Sequence, residues 1–98
     1  MNGEPLRRSI VVTNPEGLHV RPAAAFAAQA QKFRSEVVLI RNDERLNGKS
    51  GIALIGLAGQ GTTLVLEISG PDQETAMQTL GDFLEKVARE GMKSEAEP

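Results

Sequence analysis

The 98-residue chain has no cysteine, no tryptophan and no tyrosine, and it has a single histidine. Without cysteine there is no disulfide and no thiolate metal site, a composition that suits a reducing compartment. One histidine leaves transition-metal catalysis short of ligands, and no metal or other cofactor is expected. Aromatic content stops at three phenylalanines and the net charge is −2, so the chain lacks both the stacking platform and the basic excess of a nucleic-acid binder. No nucleic-acid partner is expected; the expected partners are proteins. Long apolar runs are also missing: Val20–Ala30 and Gly51–Gly59 are too short and too interrupted to cross a bilayer. Met1–Pro5 does not have the character of a secretory leader. A cytoplasmic protein with no membrane insertion is the expectation. Carboxylates are plentiful, but no pair is spaced as an acid/base couple.

What is present is one concentrated stretch, Asn14-Pro15-Glu16-Gly17-Leu18-His19-Val20-Arg21-Pro22-Ala23-Ala24. Its first four residues are turn formers and its last residues begin an alanine-rich segment of high helix propensity, so His19 and Arg21 belong at a helix mouth. The first turn of a helix leaves backbone N–H groups unpaired, and with the macrodipole these form a ready anion site. Pro22 is tolerated there because its missing N–H would have been unpaired anyway. An imidazole titrates near neutrality (~6.5), so it offers a nitrogen lone pair as a nucleophile without a separate base. A phosphoryl group taken up at that point would lie against free amides and the Arg21 guanidinium, whose fixed fork suits phosphate oxygens. Leu18 reads as the buried anchor that turns its neighbour outward.

The remaining chain supplies a frame of alternating elements. Arg7–Thr13 is β-branched enough for a first strand. A helix is expected from His19 or Val20 to Lys32 or Phe33, with Ala23, Phe26, Ala27, Ala30 and Phe33 on its inner face and Lys32 and Arg34 complementing its dipole. Ser35–Arg41, with four apolar residues in a row, predicts a buried or central strand, and Arg45–Asn47 closes a hairpin with it. Gly51–Leu57 reads as a short second helix capped by Ser50. Thr62–Ser69 is the clearest strand, with Leu64, Leu66 and Ile68 on one face and Thr63, Val65 and Glu67 on the other. Asp72 is expected to cap a long helix carrying Ala76, Met77, Leu80, Phe83, Leu84, Val87 and Ala88 inward, with Gly91 as its stop. Residues 1–91 are thus expected to form one α+β domain of a size that buries about two-thirds of its unfolded surface, and 92–98 a mobile tail.

The run Gly17-Leu18-His19-Val20-Arg21-Pro22-Ala23, together with Asn47-Gly48-Lys49-Ser50, Gln60-Gly61-Thr62 and Pro71-Asp72, resembles the HPr family of histidine-containing phosphocarrier proteins of the bacterial phosphoenolpyruvate-dependent phosphotransferase system. The resemblance covers nearly the whole chain. It implies an open-faced β-sandwich, a four-stranded antiparallel sheet covered on one face by three helices (βαββαβα). It also implies that His19 receives phosphate at Nδ1 from Enzyme I and yields it to IIA-type acceptor domains, a stoichiometric carrier more than an enzyme. Arg21 would stabilise the transferring charge, the backbone N–H groups of Val20 and Arg21 would serve as an anion cradle, and Gly17, Val20, Arg21 and Pro22 would shape the phosphate site. In some members the serine matching Ser50 is phosphorylated by HPr kinase/phosphorylase, which brings that kinase or a transcription regulator in as further partners. A dianion at Ser50 would repel acidic partner surfaces. Gly51 stands where a bulky apolar residue commonly follows that serine, and Ser50–Gly61 is one residue shorter than in many relatives. Ile52 and Ile55 are either an exposed contact patch beside His19 or core residues of a short helix. The rival to a carrier is an HPr-like regulatory binding module controlled through Ser50 and not feeding sugar uptake.

Overall fold

The strand with the clearest alternation is the one from which the sheet is built. In the computed structural model, which describes residues 3–91, β4 (Thr63–Ser69) pairs antiparallel with β1 (Leu6–Val11) on one side and β2 (Glu36–Arg41) on the other; β3 (Glu44–Asn47) lies outside β2, giving the order β1-β4-β2-β3. Register brings apolar residues into rows on one face: Leu64 opposite Ile10, Leu66 opposite Leu39, Ile68 opposite Val37. All six are buried, each large one contributing ~1.5–3 kcal/mol. That face is covered by α1 (Val20–Ala30), α2 (Gly51–Leu54) and α3 (Gln73–Glu90), the open-faced sandwich the sequence predicts. The expected tail, 92–98, lies outside the described residues. Among the described residues no helix is long and apolar enough to cross a membrane.

α1 buries Pro22, Ala23, Phe26, Ala27 and Ala30, and its small side chains let α2 approach closely. A methyl added at Gly51 would lie 3.7 Å from the Ala24 Cα and 3.8 Å from the Ala27 Cβ, ordinary contact. α3 turns Ala76, Met77, Leu80, Leu84, Val87 and Ala88 inward, while Phe83 is only partly buried.

Several expected boundaries and partners differ. β1 ends at Val11, β3 begins at Glu44 and β4 begins at Thr63. α1 ends at Ala30, so Lys32 and Arg34 lie beyond its last turn; the ammonium of Lys49 reaches the terminus instead, donating to the Phe33 carbonyl at 2.8 Å. α2 is one turn long because Ile55 is extended and Gly56 left-handed (φ 73°). Asp72 occupies the N-cap of α3 but makes no side-chain cap bond. Its carboxylate accepts from the Arg34 and Ser35 amides (2.9 and 3.0 Å) and from the Ser35 hydroxyl, pinning the α1–β2 turn to the start of α3. Glu67, which alternation places on the face of β4 opposite Leu64, Leu66 and Ile68, is 6% exposed. The arginines Arg7, paired at 2.7 Å, and Arg45 fold over it from β1 and β3.

Candidate functional site

The turn before α1 is held from three directions. The Gly17 amide donates to the Asn14 carbonyl (2.9 Å), the buried Asn14 side-chain amide donates to the Gly17 carbonyl (3.1 Å), and the Thr13 and Asn14 amides both donate to the Ala88 carbonyl near the end of α3 (2.9 Å each). Gly17 has φ 68°, and a Cβ there would stand 2.4 Å from the Ala58 carbonyl oxygen, so only glycine allows the two loops to touch. The Leu18 amide completes that contact by donating to the same oxygen at 2.8 Å. Leu18 is buried, the anchor expected of it, and the Pro22 ring is buried as well.

With its neighbours fixed, His19 is delivered in extended conformation (φ −100°, ψ −163°) at the N-cap of α1, where its carbonyl accepts from the Ala23 amide at 3.1 Å. The imidazole makes no cap bond and is 36% exposed. Its Nε2 lies 3.8 Å from a Glu16 carboxylate oxygen, which places the charged neighbour on the side of the ring away from Nδ1. The amides of Val20 and Arg21 belong to the first helical turn and have no intrahelical acceptor. No acidic residue occupies that turn, so the positive end of the dipole stays unneutralised from within. The exposed Arg21 side chain enters no hydrogen bond or ion pair among the described residues. The arrangement is a nucleophilic ring beside free donors, open to solvent, and it suits an anion that arrives and leaves.

Ser50 lies elsewhere. It is the N-cap of α2, its hydroxyl accepting from the Ala53 amide at 3.2 Å. The preceding Lys49 is tied to the far end of α1 through its carbonyl, which accepts from the Gln31 side chain at 2.9 Å, and through its own bond to Phe33. A methyl added at the next residue, Gly51, would lie 3.7 Å from the Ala24 Cα, so the mouth of α2 packs against the middle of α1, and among the described residues no hydrogen bond or ion pair joins Ser50 to His19. Ile52 (85% exposed) and Ile55 (50%) are surface residues rather than core. Val20, 55% exposed at the start of α1, adds apolar surface that its placement among helix residues did not suggest. Glu16 was also missed; its position three residues before the histidine was the available signal.

Residues 6–86 match the family model described as the PTS HPr component phosphorylation site. The phosphocarrier protein HPr of Neisseria meningitidis serogroup A is 41% identical over 87 residues, 88% of this chain and 98% of its own length. The HPr-like protein Crh of Halalkalibacterium halodurans is 37% identical over 82 residues, 83% of this chain and 98% of its own. Among solved structures, the histidine-containing phosphocarrier protein of a mycoplasma superposes with a TM-score of 0.79 at 30% identity, covering 85% of this chain and 96% of that one. The chain belongs to the HPr family, the phosphocarriers of the phosphotransferase system.

Proposed function

We propose that the chain is a cytoplasmic carrier that takes a phosphoryl group from Enzyme I onto Nδ1 of His19 and hands it to a IIA-type acceptor domain. The observation that carries this reading is the extended, uncapped His19 at the mouth of α1, half-buried yet open to solvent. As the P–N bond to His19 forms, the bond from phosphorus to the donor breaks, and the reverse exchange occurs at the acceptor. The amides of Val20 and Arg21 and the Arg21 guanidinium hold the transferred charge; Gly17 and Pro22 fix the loop and helix that present them. Such a transfer needs mainly alignment and charge stabilisation, so a small open site completed by a partner is sufficient. Val20, Ile52 and Ile55 supply apolar surface on which partners dock. Incubation with phosphoenolpyruvate and Enzyme I should add one acid-labile phosphate, seen by intact mass, that is lost in His19→Ala. A wild-type protein left unmodified by an active cognate Enzyme I overturns the reading.

A regulatory module working through Ser50 is the second reading, favoured by the likeness to Crh. The hydroxyl already caps α2, so a phosphate would sit where the helix mouth favours negative charge. Incubation with HPr kinase/phosphorylase and ATP should then add an acid-stable phosphate, absent in Ser50→Ala.

A further inference from the structure

The oxygen that anchors Leu18 belongs to a connection with little structure of its own. Between α2 and β4 the chain carries Gly56, Gly59 and Gly61, yet the Ala58 carbonyl in its middle must hold still to receive the Leu18 amide beside His19. Backbone bonds secure the later part: the Thr62 amide donates to Gly59 (3.2 Å) and the Gly61 amide to Val12 (2.7 Å). The earlier part has the Leu57 amide donating to the Leu54 carbonyl at 3.1 Å, and it is tied to the sheet as well. Arg41, the last residue of β2, donates through one guanidinium nitrogen to the Leu57 carbonyl and through another to the Glu44 carboxylate at 2.7 Å. Its side chain is one-third exposed, and Leu57 itself is buried.

We infer that Arg41 is a positioning residue for His19, acting through the chain Glu44, Arg41, Leu57 carbonyl, Ala58 carbonyl and Leu18 amide. A guanidinium is suited to this task because its planar fork bonds two acceptors at once, the carboxylate fixing its orientation while the second branch reaches the loop. A lysine ammonium has donors enough but no planar fork to hold the two acceptors in one fixed orientation. A peptide plane released at Leu57 lets its neighbour at Ala58 tilt, and the His19 ring then moves relative to the amides of Val20 and Arg21. Arg41 touches no transferring atom.

This inference rests on the carrier reading only for its functional consequence, so two measurements are needed. In Arg41→Met, native-state hydrogen exchange at the Leu18 amide should accelerate about tenfold, while amides of the β1–β4 ladder keep their rates; Arg41→Lys should fall between. Unchanged Leu18 exchange, or an equal rise throughout the sheet, overturns the inference. With Enzyme I as donor, Arg41→Met should lower kcat about tenfold and leave KM within about twofold, with partial recovery in Arg41→Lys. An unchanged kcat, or a loss confined to KM, also overturns it. If wild-type protein takes up no phosphate, the carrier reading fails, and the exchange data alone still decide whether Arg41 holds the Leu18 turn.

Discussion

The mouths of α1 and α2 are built on the same plan and used in opposite ways. Each begins at a residue in extended conformation with a polar side chain, His19 in one and Ser50 in the other. Ser50 turns its hydroxyl back onto the Ala53 amide and closes the mouth. His19 makes no such bond, and the first turn behind it has no acid to substitute. A helix start that is left open costs stability, and the open one is the start that is clamped from outside, through Leu18, Asn14 and the end of α3. The difference is between a helix start whose amide is satisfied by its own cap residue and one whose cap residue leaves the first-turn amides free of a side-chain bond.

The sharpest way to break the comparison is at the histidine. His19→Ala should abolish acid-labile phosphate uptake while the thermal midpoint stays within a few degrees, because no cap bond is lost; intact mass and calorimetry measure the two. Arg21→Ala should slow phosphoryl uptake by roughly a hundredfold, the scale of losing one preorganised donor, with stability unchanged, as quenched-flow transfer and denaturant unfolding would show. At Gly17 the loss should be structural: Gly17→Val forces a β-branched residue to φ 68° against the Ala58 oxygen, costing about 1–3 kcal/mol by urea unfolding. Ser50→Ala should cost about 1 kcal/mol and leave transfer through His19 intact. A slowed transfer in that variant would mean that the two mouths communicate.

The smallest effect concerns the third mouth. Asp72 gives its carboxylate to Ser35 and Arg34 rather than to α3, and the Ser35 hydroxyl, with the Arg34 amide after it, holds its pKa below the usual carboxylate value. Glu67 is lowered likewise, first by its hydrogen bond to Arg45 and also by Arg7, against the opposing effect of burial. A folded pKa below the unfolded one contributes stability that is full above the ordinary carboxylate range, about 4, and is lost as the pH falls through the folded value. Urea midpoints of the wild type should therefore decline below about pH 4, and decline less in Asp72→Asn and in Glu67→Gln, both of which begin lower at neutral pH.

The candidate site was legible as a turn and helix mouth because its signals are local. A turn, a histidine, a guanidinium and a helix start follow within a few residues, and each dictates the next. The alternation of β4 and the spacing of α3 identified their buried faces for the same reason. What escaped depends on residues far apart in the chain. Asp72 looks like an N-cap until Ser35, 37 residues earlier, comes within reach and competes for it. Glu67 looks solvated because alternation assigns it a face but cannot know that Arg7 and Arg45 fold over that face. α2 stops early because Ile55 and Gly56 leave helical conformation, which their propensities alone do not fix. Arg41 gave no local sign of its hold on Leu57, since its acceptor is a backbone carbonyl 16 residues away.

Placing all three helices on one side of the sheet leaves the opposite face in water, with Ser9 on β1 and Thr63 on β4 exposed there. That face is a convenient handle. A dye, a crosslinker or a surface tether attached through cysteine introduced at either position stands on the face of the sheet away from the three helices. The lack of native thiols makes such labelling single-site, so exchange with partners could be followed on an immobilised molecule in real time.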